Sequence, residues 1–526
     1  MVVDGKKAAY GQLNYMDRLS DLPDSILHHI ISFLGTKGAC RTTILSKRWS
    51  HIWSTGLILE FRPRFFVPKK DGGSNRPYSE ETVGRLINFI ESTMRRYSEK
   101  NLSIRMFRLD YPTIDPNMTE TIDRWVGIAL QNQVEKLLLS VIPKASPSYL
   151  LPAFFFLAKS LISVRLSRVR VPYFENMKLI SLQCLDMKKV DVDEKMLQNI
   201  IMSCPLKNLR LDRCSGLENI SIPCCSRLES LDVIQSIPIG GELLVNTSSL
   251  QRCTYFGYHE ENPWSIILTP ASKKNLRDLR IFGVVIKDDI FSKLVSEIPS
   301  IEDLSFYCCT MPMKIKIVSQ TLKQLGVYDC FGLINVVIDA PELETFCYDG
   351  GLRLSSVINS QSNYNAYLHL NIGYTANVNN RDLVRIKKLL KKFNCCKILS
   401  IILNDDAHHI PQIDVDMDQL SKIGNGLPCY VEELKLSLSC STSTTMLGES
   451  TCRALIDGLL WCCRPDILSL RATFIFNNNV NQTVLEILQQ KVKYWKHPLK
   501  RMEIEGATAN GSPSSGHFDL RLKLYW

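Results

Sequence analysis

The chain has 526 residues, of which 45% are hydrophobic and 22% charged, with a formal net charge of +10. That length allows two to four domains or one long repeat array. The longest uncharged apolar run, near Tyr149–Ala158, is too short to cross a bilayer, and the charge is too mild to mark a nucleic-acid binder.

Residues 1–15 read as a flexible N-terminus with no apolar signal core (MVVDGKKAAYGQLNY). Without a secretion signal, the eighteen cysteines are expected to be thiols, and the sequons at Asn101, Asn219 and Asn246 to stay unmodified. Residues 16–60 carry the first structured segment. Pro23 suits a helix start, where a missing N–H leaves nothing unsatisfied. Ile26, Leu27, Ile30, Ile31, Phe33 and Leu34 then make a broad apolar stripe at helical spacing. Gly35 can end that helix, and Thr36 can cap a second over Ala39, Ile44 and Leu45. Ser46 can cap a third that presents Trp49, Ile52 and Trp53. A segment of about 40 residues seldom builds a sufficient core alone, so its apolar surface must dock on the rest of the chain or on a partner.

Leu22-Pro23, the stripe Ile26–Leu34, Arg41, Leu45-Ser46-Lys47-Arg48-Trp49 and Trp53 together resemble an F-box of the plant type. The resemblance implies docking onto a Skp-type adaptor and, through it, onto the cullin and RING subunits of a ubiquitin ligase. Leu22, Pro23, Ile26, Leu27, Ile30, Phe33, Leu34, Leu45 and Trp49 are the expected adaptor contacts. Gly35 stands where many relatives have proline, and Gly38 where many have an acid.

Residues 61–80, rich in Pro, Gly, Lys and Ser, read as a flexible connection. A helix is expected from Ser79, with Glu80 and Glu81 in its first turn and Leu86, Phe89 and Ile90 on its inner side. From about 134 to 350 one phrase recurs: apolar, two residues, apolar, one residue, apolar. It starts at Val134, Leu161, Leu182, Leu206, Leu228, Leu250, Leu276, Ile301, Leu322 and Leu343, with spacings of 21 to 27 residues. That is the period and strand phrase of leucine-rich repeats. Cys214, Cys309 and Cys330 fall eight residues after a first apolar position, where many repeats carry Asn or Cys. Each unit buries its apolar side by stacking on its neighbours, which builds a curved solenoid. The expected fold is therefore α/β: a small N-terminal three-helix F-box, then a curved leucine-rich-repeat solenoid of strand-plus-helix or strand-plus-loop repeats over 81–360.

Beyond 360 the pattern loosens into a repeat-like region, 361–526. Lys387, Lys388, Lys391 and Lys392 read as the solvated face of a helix. Ile398/Ile401/Leu403 and Val431/Leu434/Leu436 repeat the strand phrase. Ala454–Trp461 reads as a helix before a strand at Asp466–Leu470. Met502 and Ile504 precede an expected turn at Gly506, and 507–517 reads as a mobile loop. This order resembles the C-terminal region of plant F-box/leucine-rich-repeat proteins, sometimes called FBD.

No catalytic constellation is legible: no phosphate-cradling Gly loop, no GxSxG elbow, no CxxC. Adjacent cysteines such as Cys308-Cys309 and Cys462-Cys463 read as small buried residues pointing to opposite faces. Asp414, Asp416 and Asp418 imitate a calcium loop, but Gln419 stands at its glycine position and Asn425 at its bidentate glutamate. The segment therefore reads as a polar loop, with no metal and no cofactor.

Numbering the first apolar residue of each repeat as zero, positions three and five point inward, and two, four and six face the concave side. Position six gives Ser167, Lys188, Asp212, Ile234, Phe256, Phe282, Tyr307 and Tyr328. The last four form a column of aromatic rings, rimmed by Arg252 and Arg280, that either binds a target protein or packs under a loop or the C-terminal region.

The resemblance implies a non-catalytic, substrate-recognition subunit of an SCF-type ligase, placed in the nucleus or cytoplasm, with neither nucleic acid nor membrane as partner. The alternatives are a repeat scaffold that does not ubiquitinate, and an F-box co-receptor for a small molecule.

Overall fold

The computed structural model describes residues 19, 21–54, 58–66, 78–114, 118–143, 148–224, 226–238, 240–257, 263, 265–352, 354–359, 364–371, 377–393, 396–404, 412–423, 427–439, 449–473, 499–510 and 517–526. The chain divides into two compact units. The first is Met1–Leu206 with Arg213–Gly216, the second Lys207–Asp212 with Leu217–Trp526.

In the first unit, Pro23 sits at the N-cap of helix α1 (Asp24–Ser32) with φ −57°, as its fixed ring requires. Helix α2 (Gly35–Arg41), a 3₁₀ turn (Thr42–Ile44) and helix α3 (Lys47–Ser54) follow. Ser46 caps α3, its Oγ accepting from the Trp49 N–H at 3.2 Å. Thr36 does not cap α2: no side chain caps that helix. The Thr36 hydroxyl is buried instead, accepting from the backbone N–H of Glu60. Leu27, Ile31, Ala39, Trp49, Ile52 and Trp53 form the core of this segment, with Leu22, Ile30 and Cys40 packed on it. Arg48 closes the open end: Nε and Nη2 donate to Asp24 Oδ1 at 3.0 and 2.7 Å, and Nη2 also donates to the Leu22 carbonyl at 2.5 Å.

The chain then enters a parallel ladder earlier than the sequence period announces. Ile58–Phe61 pairs with Met106–Ile114, then Lys136–Pro143, Ser163–Ser167 and Cys184–Lys188 follow in order. The first residues of the expected connection at 61–80 are therefore fold: Arg62 pairs with Asp110 at 2.9 Å, and Pro63–Phe65 is a 3₁₀ turn. Residues 67–77 lie outside the described residues. Helix α4 (Glu80–Glu99) begins where expected. Ser79 caps it through the Thr82 N–H at 3.3 Å, and Leu86 and Ile90 are buried.

The second unit holds a longer parallel ladder, from Asn208–Asp212 through Ser230–Ile234, Arg252–Phe256, Asp278–Phe282, Asp303–Tyr307, Gln324–Tyr328 and Thr345–Gly350. It runs without a break past position 360 into Asn365–Asn371, Cys396–Asn404, Cys429–Ser439 and Cys463–Thr473. His517–Tyr525 and Arg501–Asn510 then close it with antiparallel pairing. Positions zero, three and five of the repeats are buried throughout, as the phrase requires.

Position seven has a regularity of its own. Arg168, Lys189, Arg213, Gln235, Gly283, Cys308 and Asp329 all take φ between 43° and 58°, the left-handed region that turns the chain out of each strand. At position eight, buried Cys214 donates from Sγ to the Met187 carbonyl at 3.4 Å, and Cys309 to the Tyr307 carbonyl at 3.3 Å. Cys330 repeats this on Tyr328 at 3.4 Å. The thiol thus occupies a backbone-facing site at the strand end.

The C-terminal part departs from expectation in several places. In Cys396–Asn404 the buried apolar residues include Cys396, Leu399 and Ile401 but not Ile398, where the register shifts between Ala366 and Tyr367 against the neighbouring strand. Val431, Leu434 and Leu436 are buried as read. Lys387 is not solvated: it is buried on the helix Asn380–Leu390, with Nζ 3.8 Å from the Trp461 ring centroid. Lys388, Lys391 and Lys392 are exposed. Gly506 makes no turn. It sits inside Arg501–Asn510, beside an irregularity in the pairing, so 507–510 is strand rather than loop. Ala454–Trp461 lies within the helix Glu449–Cys462, and Asp466–Leu470 within Cys463–Thr473. Cys462 and Cys463 are both buried rather than split between faces, since the helix hands over to the strand between them.

Candidate functional site

Two candidate surfaces stand out, and each lies within one unit. The first is on the helical segment 24–54. Packing against the core has drawn Leu27 (0% exposed) and Trp49 (4%) inward, which removes both from the expected contact set: their side chains hold α1 and α3 together. Leu22 and Ile30 are half-buried against the same core. The apolar side chains left in solvent are Ile26 (44%), Phe33 (76%), Leu34 (46%) and Leu45 (62%), joined by Ile44 (86%). Ile44 is one of the apolar residues read into the second helix, which ends at Arg41. The 3₁₀ turn Thr42–Ile44 rotates it outward. Pro23 is exposed beside them. Isolated exposed apolar side chains are ordinary; this many on so short a segment is the pattern of a docking surface.

The second surface is on the sheet face of the second unit. Phe256, Phe282, Tyr307 and Tyr328 are in direct register across four parallel strands. Their rings stack in sequence, with centroids 5.2, 4.2 and 4.5 Å apart and interplanar angles of 14°, 6° and 9°. All four are half-buried. Gly326 is part of this arrangement: a Cβ there would collide with the Tyr328 ring, which leans back over its own strand. The Tyr328 hydroxyl meets the Cys347 thiol on the next strand, and burial pushes the phenol pKa up.

Charges around the column follow a pairing rule. At position one, Lys207 meets Glu229 at 3.6 Å, and Glu302 meets both Arg277 (3.1 Å) and Lys323 (3.0 Å). On the outward face, Arg210 meets Asp232 at 3.3 Å, and Arg280 bridges Asp278 (3.0 Å) and Asp303 (3.6 Å). Burial holds the Asp278 carboxyl above its ordinary value against the pull of Arg280. Exposed Arg252 lies opposite Asp278 in the register. The next rung beyond Tyr328 is Asp349. Burial, with the charge of Asp329 beside it, pushes its carboxyl up to about 6.

Other sequence candidates fall away from chemistry. Asp416 caps the helix Met417–Ile423, accepting from the Gln419 N–H at 3.0 Å, and its own N–H is held by Asn380 Oδ1 at 3.0 Å. Asp405, Asp406, His408 and His409 lie outside the described residues. Among the described residues no three His, Cys, Asp or Glu side chains converge as a metal site would need. Nor is any described helix long and apolar enough to cross a membrane.

Comparison with known proteins matches three family models: the F-box domain over residues 19–59, the At1g61320/AtMIF1 LRR domain over 94–257, and the LRR repeats of the FBD-associated F-box protein At5g56370 over 242–362. The chain is similar to three Arabidopsis thaliana proteins. It is 29% identical to the putative F-box/LRR-repeat protein At3g18150, over 41% of this chain and 42% of that one. It is 28% identical to the putative F-box/FBD/LRR-repeat protein At5g62970, over 55% and 61%. It is 26% identical to the putative F-box protein At3g58860, over 64% and 75%. The chain thus spans about half the length of the first two relatives.

Proposed function

Because the chain is an F-box/leucine-rich-repeat protein of the plant type, we propose that it is the substrate-recognition subunit of an SCF-type cullin–RING ubiquitin ligase. In this reading a three-helix F-box docks a Skp-type adaptor, and a curved repeat solenoid holds the target protein. The observation that carries it is the exposed set Ile26, Phe33, Leu34, Ile44 and Leu45 on a segment whose own core is already filled by Leu27, Trp49 and Trp53. These side chains leave much of their apolar surface in solvent and supply the anchors that an interface would desolvate.

No transfer chemistry is asked of this chain. Its contribution is geometric: holding a target lysine near a conjugating enzyme recruited by the RING subunit raises the local concentration of the reactants. On the repeats, Phe256, Phe282, Tyr307 and Tyr328 are the proposed anchors for the target, since aromatic side chains that lose little entropy on docking are typical hot spots. Arg252 and Arg280 form the rim. The test is co-purification of the adaptor with the full chain. Phe33→Asp combined with Leu45→Asp is expected to abolish capture while the repeats keep their circular dichroism. Capture that survives this pair of charges overturns the ligase reading and leaves a repeat scaffold.

A further inference from the structure

We infer that the aromatic column docks a basic segment of its target: an extended stretch whose apolar side chains lie along Phe256, Phe282 and Tyr307 and whose Lys or Arg side chain enters beside Asp329 and Asp349. This rests on the reading of the repeats as the target-binding part, and names the chemistry of the target there.

Charge on the ladder is what selects the occupant. The chain as a whole is basic, +10, so a generic surface on it would favour acidic partners. Along the sheet, acids are answered by bases on the same or the neighbouring strand: Asp232 by Arg210, Asp278 and Asp303 by Arg280, Glu302 by Arg277 and Lys323. At the Tyr328 end no base among the described residues answers the acids. Asp349 is the rung after Tyr328, and Asp329 turns out of the strand one residue later, with φ 49° and its N–H on the Asp349 carbonyl at 2.8 Å. Among the described residues, what acts on the Asp349 carboxyl is its burial and a second carboxylate, Asp329, both of which disfavour its charge. A target cation relieves that repulsion.

Ring geometry sets how the rest of the segment lies. The ring faces inside the stack are taken up by one another at 4.2 to 5.2 Å, so the column offers its edges, an apolar rail about four strands wide. The hydroxyls of Tyr307 and Tyr328 are its polar end. A basic and partly apolar segment matches both parts. An acidic one would meet Asp329 and Asp349 head on.

The experiment uses the full chain and two labelled, amidated peptides of equal length. Leucine alternates with arginine and lysine in one, and with glutamate in the other. Fluorescence anisotropy at low salt is expected to show the basic peptide binding at least about tenfold tighter, with the gap closing as salt screens the site. Asp329→Asn with Asp349→Asn is expected to cut that preference about fivefold, and Tyr307→Ala to weaken both peptides. Glu302→Gln, on the paired outer edge, leaves the preference unchanged. Equal binding of the two peptides, or a preference indifferent to the asparagine pair, overturns the inference. Adaptor capture is measured on the same samples. Its loss would overturn the ligase reading without touching the peptide result, and a lost preference with capture intact would do the reverse.

Discussion

Phe282 and Tyr307 lie face to face across adjacent parallel strands, centroids 4.2 Å apart and planes within 6°. The register Phe282↔Tyr307 brings them opposite each other, and the strand spacing of about 4.8 Å leaves room for one ring per rung. Phe282 and Tyr307 each touch a ring on both sides, and the two contacts of Tyr307, at 4.2 and 4.5 Å, are the closest pair. Tyr307→Ala is expected to destabilise the second unit by about 1–3 kcal/mol, two ring contacts at about 0.5–1.5 each. Tyr307→Phe keeps both contacts and should stay within about 0.5 kcal/mol of the parent. Thermal unfolding of the three proteins checks this; equal losses for Ala and Phe would show that the hydroxyl, not the ring, matters.

Core and surface of the helical segment separate in the same way. Trp49 is buried with Leu27 and Trp53, so Trp49→Ala leaves a cavity and should cost about 3–5 kcal/mol. Amide exchange across 24–54 is expected to rise sharply. Ile44→Asp, at 86% exposure, should leave exchange unchanged and remove adaptor capture. A pair of variants that both unfold the segment, or both spare capture, would break the division drawn between these residues.

What the sequence disclosed and what it hid both follow from period. Positions zero, three and five were legible because the same phrase repeats wherever stacked units share a core, and the position-six column followed from strand alternation. The strands Ile58–Phe61 and Met106–Ile114 were not, since α4, 20 residues long, separates them and breaks the spacing. Lys387 shares a charged run with Lys388, Lys391 and Lys392, and nothing local marks it for burial. Its partner Trp461 is remote in sequence. Leu27 and Trp49 belong to the motif that carries the resemblance, yet a motif does not distinguish residues kept for the core from those kept for a partner. Ile44 lies outside the second helix, because a 3₁₀ turn rather than a continuing helix carries it.

The left-handed position seven gives a prediction about backbone alone. Lys189 has φ 52° and Gly283 φ 58°, the same conformation with and without a Cβ. A residue with a Cβ is strained there by about 1 kcal/mol. Gly283→Ala, where a Cβ would meet nothing within 4 Å, should therefore lose about that amount for conformational reasons only. Lys189→Gly should be neutral to slightly stabilising, and Lys189→Val destabilising, because branching at Cβ worsens the clash. Denaturant midpoints for the three variants test it. Gly283→Ala without loss would mean that the turn relaxes.

Asp349 supplies a pH dependence whose sign is fixed by its surroundings. Its folded carboxyl is raised to about 6, above the unfolded value near 3.9, so the folded state holds its proton more tightly than the unfolded chain. Stability from this group is full below about pH 4 and is lost as pH rises through 6. The neighbouring Asp329 charge and burial push in this direction; the Cys347 thiol and the Tyr328 and Tyr348 phenols on the same rungs are themselves raised and stay neutral in this range. Asp349→Asn removes the titration. The variant should exceed the parent in melting temperature at pH 7 and lose that advantage at pH 4.5. A parent whose stability relative to the asparagine variant stays flat between these two pH values would show that the carboxyl is not held up by its site, and would remove the repulsion that a target cation is proposed to relieve.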